Sequence, residues 1–306
     1  MAKATREAYG EALAALAAEN RKVVVLDADL AGSTKSGDVK KTAPERFFDM
    51  GIAEADMIGT AAGMAASGYI PFASSFAIFA TGRAWEQIRN SVAYPHLNVK
   101  IAGSHAGISV GEDGATHQAC EDIALMRVLP GMEVFVPCDA AETAAVVNYA
   151  VAHEGPCYIR LGRSKAEDVY TADNLPDLKK IHVLREGKKI AVFACGLLVQ
   201  EALKAADLLK AEGIDITVVD VCAIKPADED GIAAVLAAHE TIVTCEEHSV
   251  IGGLGSLVAD VASARCPRKI TRIGIQDQFA ESGTAAQLME KYGLTAAAIV
   301  RTVKTL

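Results

Sequence analysis

Short apolar runs rich in β-branched residues alternate along the chain with alanine-rich stretches of helical character. In the first half the runs cover residues 23–26, 69–72, 99–102, 134–136 and 158–161, and the helical stretches lie near residues 54–67, 77–93 and 140–153. Continuous apolar runs are typical of strands that are buried on both faces. The alternation therefore predicts an α/β fold with parallel or mostly parallel sheets flanked by helices.

The alternation stops at a polar segment and then starts again. Residues 163–189 contain many charged groups, Pro176 and no apolar periodicity, which indicates a linker. The second series has strands at residues 190–194, 216–219, 241–245 and 270–273, and helices near residues 198–212, 228–238 and 254–264. The sequence thus predicts two α/β domains, residues 1–165 and 189–306, with a linker over residues 166–188.

The composition narrows the range of partners. The 306 residues carry a net charge of −9 without a cluster of Lys and Arg, so neither nucleic acid nor an anionic membrane is expected to bind. Gly63, Gly68 and Pro71 interrupt the long uncharged stretch, which argues against a membrane span. The seven cysteines include no C-x-x-C spacing, so we expect buried thiols of a cytoplasmic protein and no metal site in this chain.

Residues 102–118 carry most of the chemistry that the sequence indicates. They follow a predicted strand, at the edge where α/β sheets bind ligands, and their four glycines allow sharp turns close to a ligand. Two imidazoles and two carboxylates lie within this one loop, from His105, Glu112, Asp113 and His117. A polar surface loop with helix-capping groups is the alternative interpretation.

This loop resembles that of the transketolase family. The family's pyrimidine-binding domain has the pattern H-x-x-I-x-V-G-E-D-G-x-T-H-Q, and residues 105–118 match it. The resemblance continues in order along the chain, through TREAYGEAL near the start, DADL at 27–30, GIAEADMIGTAAGMA at 51–65 and EEHSVIGGLGS at 246–256. It covers only the second and third domains of the family.

The resemblance implies that a second chain is needed. In the family the first domain binds the diphosphate through a G-D-G…N metal motif, which this sequence lacks. The chain is therefore expected to be the C-terminal subunit of a split transketolase. An N-terminal transketolase subunit would hold most of the thiamine diphosphate and its Mg²⁺, in a dimer of heterodimers.

Two carboxylates are assigned to the cofactor by the resemblance. Glu54 would hydrogen-bond a ring nitrogen of the aminopyrimidine and promote its imino tautomer, whereas on its own it is a charge suited to a helix N-terminus. Asp29 would line the cofactor cleft, or simply form the turn after a strand. Ala55 stands where the family often has a histidine, so the role of that histidine is missing.

Two aromatic residues are assigned to the same ring. The resemblance places Phe76 and Phe79 against the aminopyrimidine, where stacking contributes about 1 kcal/mol. Ordinary core packing is the alternative. Gly82 stands where the family has a third aromatic residue, so this wall of the pocket is incomplete.

The loop residues are assigned to the sugar substrate. His117 would exchange protons with the sugar hydroxyls, and Asp113 would hold the C2 hydroxyl and set the stereochemical preference. His105 would help to bind the phosphate end of a sugar phosphate. With Glu54, these three residues form the catalytic set that the resemblance implies.

Three further residues are assigned to the phosphate. Arg163, in RLGRSK, matches the phosphate-binding arginine of the family, and Arg6 and Ser33 match further phosphate contacts. Two converging guanidinium groups would give this acidic protein the local positive charge that an anionic sugar needs. On its own, Arg6 reads as a solvated charge on a helix.

Other interpretations stay open. Half of a deoxyxylulose phosphate synthase shares GIAE and DG-x-THQ but generally lacks the histidine seen at His105. A 2-oxoacid dehydrogenase β-subunit has about this length but lacks the THQ arrangement. A non-catalytic partner on the same fold is a further alternative, because fold does not imply function. The second domain, with His248, is expected to contribute to dimer contacts.

Overall fold

The computed structural model, which describes residues 2–306, contains two main sheets covered by helices. The strands are β1 (Lys3–Ala4), β2 (Val23–Asp27), β3 (Phe47–Asp49), β4 (Ile70–Phe76), β5 (Lys100–Ser104), β6 (Glu133–Phe135), β7 (Cys157–Arg160), β8 (Lys165–Ala166), β9 (His182–Arg185), β10 (Ile190–Ala194), β11 (Ile216–Asp220), β12 (Ala223–Lys225), β13 (Thr241–Ser249) and β14 (Ile270–Ile275). The helices are α1 (Thr5–Glu19), α2 (Ala31–Thr34), α3 (Glu54–Ala66), α4 (Trp85–Gln87), α5 (Asp122–Arg127), α6 (Ala140–Ala152), α7 (Leu198–Ala211), α8 (Glu229–Ala238), α9 (Leu254–Arg265), α10 (Ala285–Lys291) and α11 (Ala296–Lys304). Within residues 2–306, none of these helices combines the length and the apolar character that crossing a membrane requires.

The first sheet has seven strands in the order β12-β6-β7-β5-β4-β2-β3. β12 runs antiparallel to β6, and all the other neighbouring pairs are parallel. The five strands predicted in the first half of the sequence are β2, β4, β5, β6 and β7. The predicted mostly parallel α/β architecture is confirmed.

The second sheet has five strands in the order β14-β13-β10-β11-β9. β9 runs antiparallel to β11, and the other pairs are parallel. β9 falls within the segment predicted as a linker, which is therefore not entirely irregular. Its four residues lie at the sheet edge and are partly exposed, so they lack the continuous apolar run of a central strand.

The two sheets are joined by more than the linker. β12 follows the linker in sequence, yet it pairs with β6 of the first sheet, Ala223 lying opposite Phe135. One continuous apolar cluster includes Leu26 and Ile58 from the first series of elements and Phe193 from the second. The sheets therefore share a core.

The helix predicted over residues 77–93 is irregular. α4 lies between two π-helical segments, Ile78–Arg83 and Ile88–Ala93. A π turn holds one residue more than an α turn and so changes the directions in which side chains point. Phe76 is the last residue of β4, and Phe79 lies in the first π-helical segment.

Acidic side chains are buried at the junction of the two sheets: Asp139, Glu142 and Asp220. Backbone N–H groups satisfy Asp139, the N–H of Cys138 donates to Glu142, and the hydroxyl of Tyr170 donates to Asp220. One oxygen each of Glu142 and Asp220 has no donor within residues 2–306. Burial raises the pKa of both carboxyls, so we infer that Asp220 keeps a proton and shares it with Glu142.

We expect this shared proton to make the fold less stable at alkaline pH. Because the pKa is raised in the folded state, the contribution is fully present below the unfolded pKa and is lost as pH rises through the folded pKa. Asp220→Asn replaces the protonated carboxyl by a neutral amide that can donate to Glu142. Its melting temperature should therefore fall less than that of the wild type as pH rises above the ordinary carboxyl pKa of about 4.

Thermal unfolding followed by circular dichroism measures this difference. Asp173→Asn changes an exposed aspartate in the same way and should keep the wild-type dependence on pH. Equal pH dependence of the wild type and of Asp220→Asn would rule out the shared proton.

Candidate active site

The residues selected from the sequence meet at the carboxyl edge of the first sheet. β4 and β5 are parallel neighbours, and their last residues, Phe76 and Ser104, lie opposite each other. His105 follows Ser104 directly, and Glu54 is the first residue of α3. The parallel topology thus brings segments that are distant in sequence to one cleft.

Four rings form a continuous aromatic group in this cleft. The rings of Phe76 and Phe79 are nearly parallel, with centroids 6.0 Å apart. His105 stacks on Phe76 at 3.9 Å, and the edge of His117 meets Phe79 at 5.2 Å. The two phenylalanines and the two histidines of the loop are therefore in contact, as one site requires.

Glu54 is buried and paired with an arginine that the sequence analysis did not select. Arg83 donates to the Glu54 carboxylate at 2.8 Å, and its guanidinium lies 4.7 Å from the centroid of Phe79. Arg83 is the first charged residue after the uncharged stretch that follows Asp56, and that isolated cation was the signal available in the sequence. Its π-helical segment directs it back over the ring.

His105 is buried and held in a rare backbone conformation, with φ at +56°. Its Nδ1 lies 2.7 Å from Ser104 Oγ, and its Nε2 lies 3.2 Å from Arg6 Nη1. A guanidinium can only donate, so Nε2 accepts and the ring proton is on Nδ1. Burial, together with the charges of Arg6 and Arg163 and the proximity of His117, lowers the pKa of His105 to about 3, so this imidazole is neutral.

Arg6 reaches across from α1 to the same cleft. Its Nη1 donates to the backbone carbonyl of Ser33 at 2.7 Å as well as to His105. Its buried Nε has no acceptor within residues 2–306. Thr5, beside it, accepts a hydrogen bond from the N–H of Gly162 at 2.7 Å, which ties α1 to the segment that carries Arg163.

Arg163 contacts the middle of the loop. Its Nη1 donates to the carbonyl of Val110 and to the carboxylate of Glu112, the latter at 3.2 Å. Asp113, next to Glu112, is exposed and has no hydrogen-bond partner within residues 2–306. His117 is partly exposed, and its Nδ1 lies 2.9 Å from Thr116 Oγ1.

Asp29, which the sequence analysis assigned to the cofactor cleft, makes none of the contacts described above. It is exposed, adopts a φ of +62° in the turn after β2, and has no hydrogen-bond partner between residues 2 and 306. Asp27, two positions earlier, is the buried aspartate of this turn. It accepts hydrogen bonds from the N–H of Leu30 and from the hydroxyls of Thr34 and Ser36.

Metal-ligating side chains are not grouped in this cleft. Between residues 2 and 306, a single set of three close candidate ligands occurs, Cys138, Glu142 and Asp220. That set is buried at the junction of the two sheets and is the shared-proton cluster described above. A metal held by a partner chain stays a prediction.

Comparison with known proteins agrees with this geometry. Residues 1–168 match the sequence profile of the transketolase pyrimidine-binding domain, and residues 179–299 match that of the transketolase C-terminal domain. The chain belongs to the transketolase family. The family resemblance found in the sequence is thereby confirmed.

Relatives of this transketolase-family chain include separate subunits. The chain is 47% identical to a transketolase C-terminal section of Methanocaldococcus jannaschii, over 98% of this chain and 95% of the relative. It is 42% identical to a 6-deoxy-6-sulfo-D-fructose transketolase subunit of Clostridium sp., over 97% and 92% of the two chains. Rat transketolase is 37% identical, but the match covers 99% of this chain and only 49% of the rat protein.

A solved structure has the same fold along nearly its whole length. It is described as a split gene transketolase, inactive β4 tetramer, and it matches with a TM-score of 0.91 at 54% sequence identity. The match covers 99% of this chain and 97% of that one. The transketolase-family chain thus consists of pyrimidine-binding and C-terminal domains arranged as in a split relative.

We expect His105 to stay neutral across about pH 5 to 8, because its pKa lies far below the ordinary value for histidine. Nitrogen NMR of histidine-labelled protein should show one imidazole that is protonated on Nδ1 and does not titrate in this range. His105→Asn removes and thereby assigns that signal. Arg6→Gln should raise the pKa because it removes a nearby positive charge, whereas a His105 signal that titrates near neutrality in the wild type would refute the assignment.

Proposed function

We propose that this chain is the C-terminal subunit of a two-chain transketolase. With thiamine diphosphate, the assembled enzyme would transfer a two-carbon ketol unit from a ketose phosphate to an aldose phosphate. The observation that carries the proposal is the contact of Glu54, through Arg83, with the aromatic wall of Phe76 and Phe79, beside both loop histidines. Membership of the transketolase family supports it.

The residues present fit an aminopyrimidine ring. Arg83 offers a planar group that donates to Glu54 and lies over the ring of Phe79. A ring with an amidine edge has the same requirements, namely a carboxylate in its plane and an aromatic face beside it. Glu54 would hold the ring nitrogen and its proton, and Phe76 and Phe79 would orient the ring.

Thiamine diphosphate, when bound, supplies a nucleophilic thiazolium carbon for cleaving and forming carbon–carbon bonds next to a carbonyl. The part of this chain is to orient the sugar and to move protons. His117, partly exposed at the edge of Phe79, would exchange protons with the sugar hydroxyls. Asp113, exposed in the same loop, would accept a hydrogen bond from the C2 hydroxyl.

The anionic end of the sugar would bind between Arg6 and Arg163, with Ser33 at its side. Each arginine lowers the pKa of His105, which supports their convergence on this point. His105 is neutral, so it would contribute a hydrogen bond rather than a positive charge. Glu112 already accepts from Arg163, so a phosphate would have to replace this carboxylate. The Clostridium relative is named for 6-deoxy-6-sulfo-D-fructose, so a sulfonate is a second candidate for the anionic end of the substrate.

The missing half of the site would come from an N-terminal partner subunit that holds the diphosphate and Mg²⁺. We propose a dimer of heterodimers in the cytoplasm. The solved relative that is 54% identical is described as an inactive β4 tetramer, which supports a need for the partner. All seven cysteines are free thiols, as is typical of a reducing compartment.

Reconstitution tests the proposed function. The purified chain alone is expected to transfer no ketol unit, and addition of an N-terminal partner, thiamine diphosphate and Mg²⁺ should produce turnover of xylulose 5-phosphate with ribose 5-phosphate. The physical reason is that this chain supplies only the aminopyrimidine side of the site. Full activity of the isolated chain, freed of any copurified protein, would contradict the proposal.

Glu54→Gln is the control variant for that experiment. A glutamine keeps the shape and one hydrogen bond of Glu54 but cannot hold the proton. Turnover should fall by about 10²-fold or more, with assembly unchanged. Formation of deoxyxylulose phosphate and CO2 from pyruvate and glyceraldehyde 3-phosphate by the wild type would instead favour the synthase interpretation, for which a relative 37% identical exists.

A comparison of two variants with two donors separates the substrate roles. Arg163→Ala should raise the KM for a phosphorylated ketose much more than for hydroxypyruvate, because only the former has a remote anion. His117→Ala should lower kcat with both donors, because the proton transfer is common to both. Steady-state kinetics of the reconstituted enzyme measures these constants.

Lys165→Ala is a suitable control for the loss of one positive charge, because Lys165 is exposed and two residues from Arg163. It should leave both donors unaffected. An equal loss with both donors in Arg163→Ala would mean that this arginine only supports the loop. An unchanged kcat in His117→Ala would remove His117 from the chemistry.

A further inference from the structure

Residues 105–118 are called the catalytic loop below, and backbone contacts hold its two ends together. Residues 105–118 leave β5 and return at Ala119, whose carbonyl accepts a hydrogen bond from the N–H of Gly107 at 2.8 Å. Gly107, Gly111 and Gly114 all have positive φ, and the regular structure within residues 105–118 is one 3₁₀ turn, Ile108–Val110. Its shape depends on the groups that its backbone contacts.

One of those groups comes from the second sheet. Glu247, in β13, is buried, and its Oε1 accepts a hydrogen bond from the N–H of Ser109 at 2.5 Å. A Cβ atom at Gly107 would lie 2.3 Å from the same oxygen, so glycine at this position allows the carboxylate to lie against the loop. Glu247 thus contacts the loop at two points that lie two and four residues after His105.

Glu247 is itself held in place. Arg160 donates to the backbone carbonyl of Glu247 at 2.8 Å and to that of Ala119 at 3.2 Å. Arg160 therefore fixes both Glu247, which holds the loop, and Ala119, at which the loop ends.

The segment between β14 and α10 contacts the end of the loop. Gln118 donates to the carbonyl of Glu281 at 3.0 Å, and a Cβ atom at Gly114 would lie 2.4 Å from Ser282 Oγ. These contacts bound the segment that includes His117. The second domain therefore contacts the loop near both of its ends.

We infer that Glu247 is a positioning residue for the catalytic loop, which holds His105 against Phe76 and, through the loop, His117 against Phe79. This inference rests on the proposed function for its effect on turnover, but not for its effect on the loop. It gives the second domain a direct part in the geometry of the site. A displacement of about 1 Å in a catalytic group can cost on the order of 10²-fold in rate.

Two substitutions of Glu247 separate the effect of its side-chain length from the effect of its charge. Glu247→Asp keeps the charge but is one methylene shorter, so it should lose the N–H of Ser109. Glu247→Gln keeps the reach and offers an amide oxygen to the same N–H. Glu246→Asp is the matched control, because Glu246 precedes Glu247 on β13 but accepts from Leu254 and Gly255 at the start of α9.

Hydrogen exchange of residues 105–118 is measured first. In Glu247→Asp we expect these amides to exchange at least about tenfold faster, because local opening becomes easier. Glu247→Gln and Glu246→Asp should stay within about threefold of the wild type. Equal exchange in Glu247→Asp and Glu246→Asp, or no change in the former, would overturn the inference.

Kinetics of the reconstituted enzyme follows. Glu247→Asp should lower kcat by about 10²-fold and change the affinity for thiamine diphosphate little, whereas Glu247→Gln should restore turnover. A wild-type complex without ketol transfer would refute the proposed function, while the exchange experiment would still decide the role of Glu247. Equal turnover of the wild type and Glu247→Asp would refute the positioning role.

A second pair of variants approaches the same contact from the loop, should Glu247→Asp fail to fold. Ser109→Pro removes the N–H that Glu247 accepts, and Ser109→Ala keeps it. Faster exchange of the loop and slower turnover are expected in the proline variant alone. Identical behaviour of the two variants would refute the inference.

Discussion

A buried arginine at the junction of the two sheets organises the structure around it. Arg160, at the end of β7, donates to both oxygens of Asp122 and to the carbonyls of Ala119 and Glu247. Burial would raise the pKa of Asp122, but the charge of Arg160 and the hydrogen bonds from Arg160 and Tyr158 act together to lower it. Removing one member of such a pair typically costs about 3–5 kcal/mol, because the other charge stays buried and unpaired. The pair fixes α5, the end of the 105–118 loop and β13 at one point.

The cleft contains both charged and aromatic side chains. His105 is neutral and accepts a hydrogen bond from Arg6, so it helps to orient this guanidinium without adding charge. Arg6 and Arg163 are held by a carbonyl and by a carboxylate, respectively, so both are oriented before an anion arrives. Such orientation lowers the entropic cost of binding, since few side-chain rotations remain to be fixed.

The sequence predicted the central strands of both sheets because a strand buried on two faces needs a continuous apolar run. It did not predict β3, β9 or β12, which are short and lie at sheet edges, where one side is open and such a run is not required. The family pattern selected the aromatic pair and the loop histidines, and the structure brings their rings into contact. Arg83 and Glu247 were missed because their partners are distant in sequence, so no local spacing marks them.

The edge strand β12 decides how the chain can be divided and in what order it can fold. The first sheet is complete only when residues 223–225 have paired with β6, so during synthesis that edge stays open until most of the chain has left the ribosome. A fragment that ends in the linker would keep β6 as an unpaired edge, which favours pairing with other chains and aggregation. The polar segment therefore separates two sheets in sequence, but it does not separate two independently stable proteins.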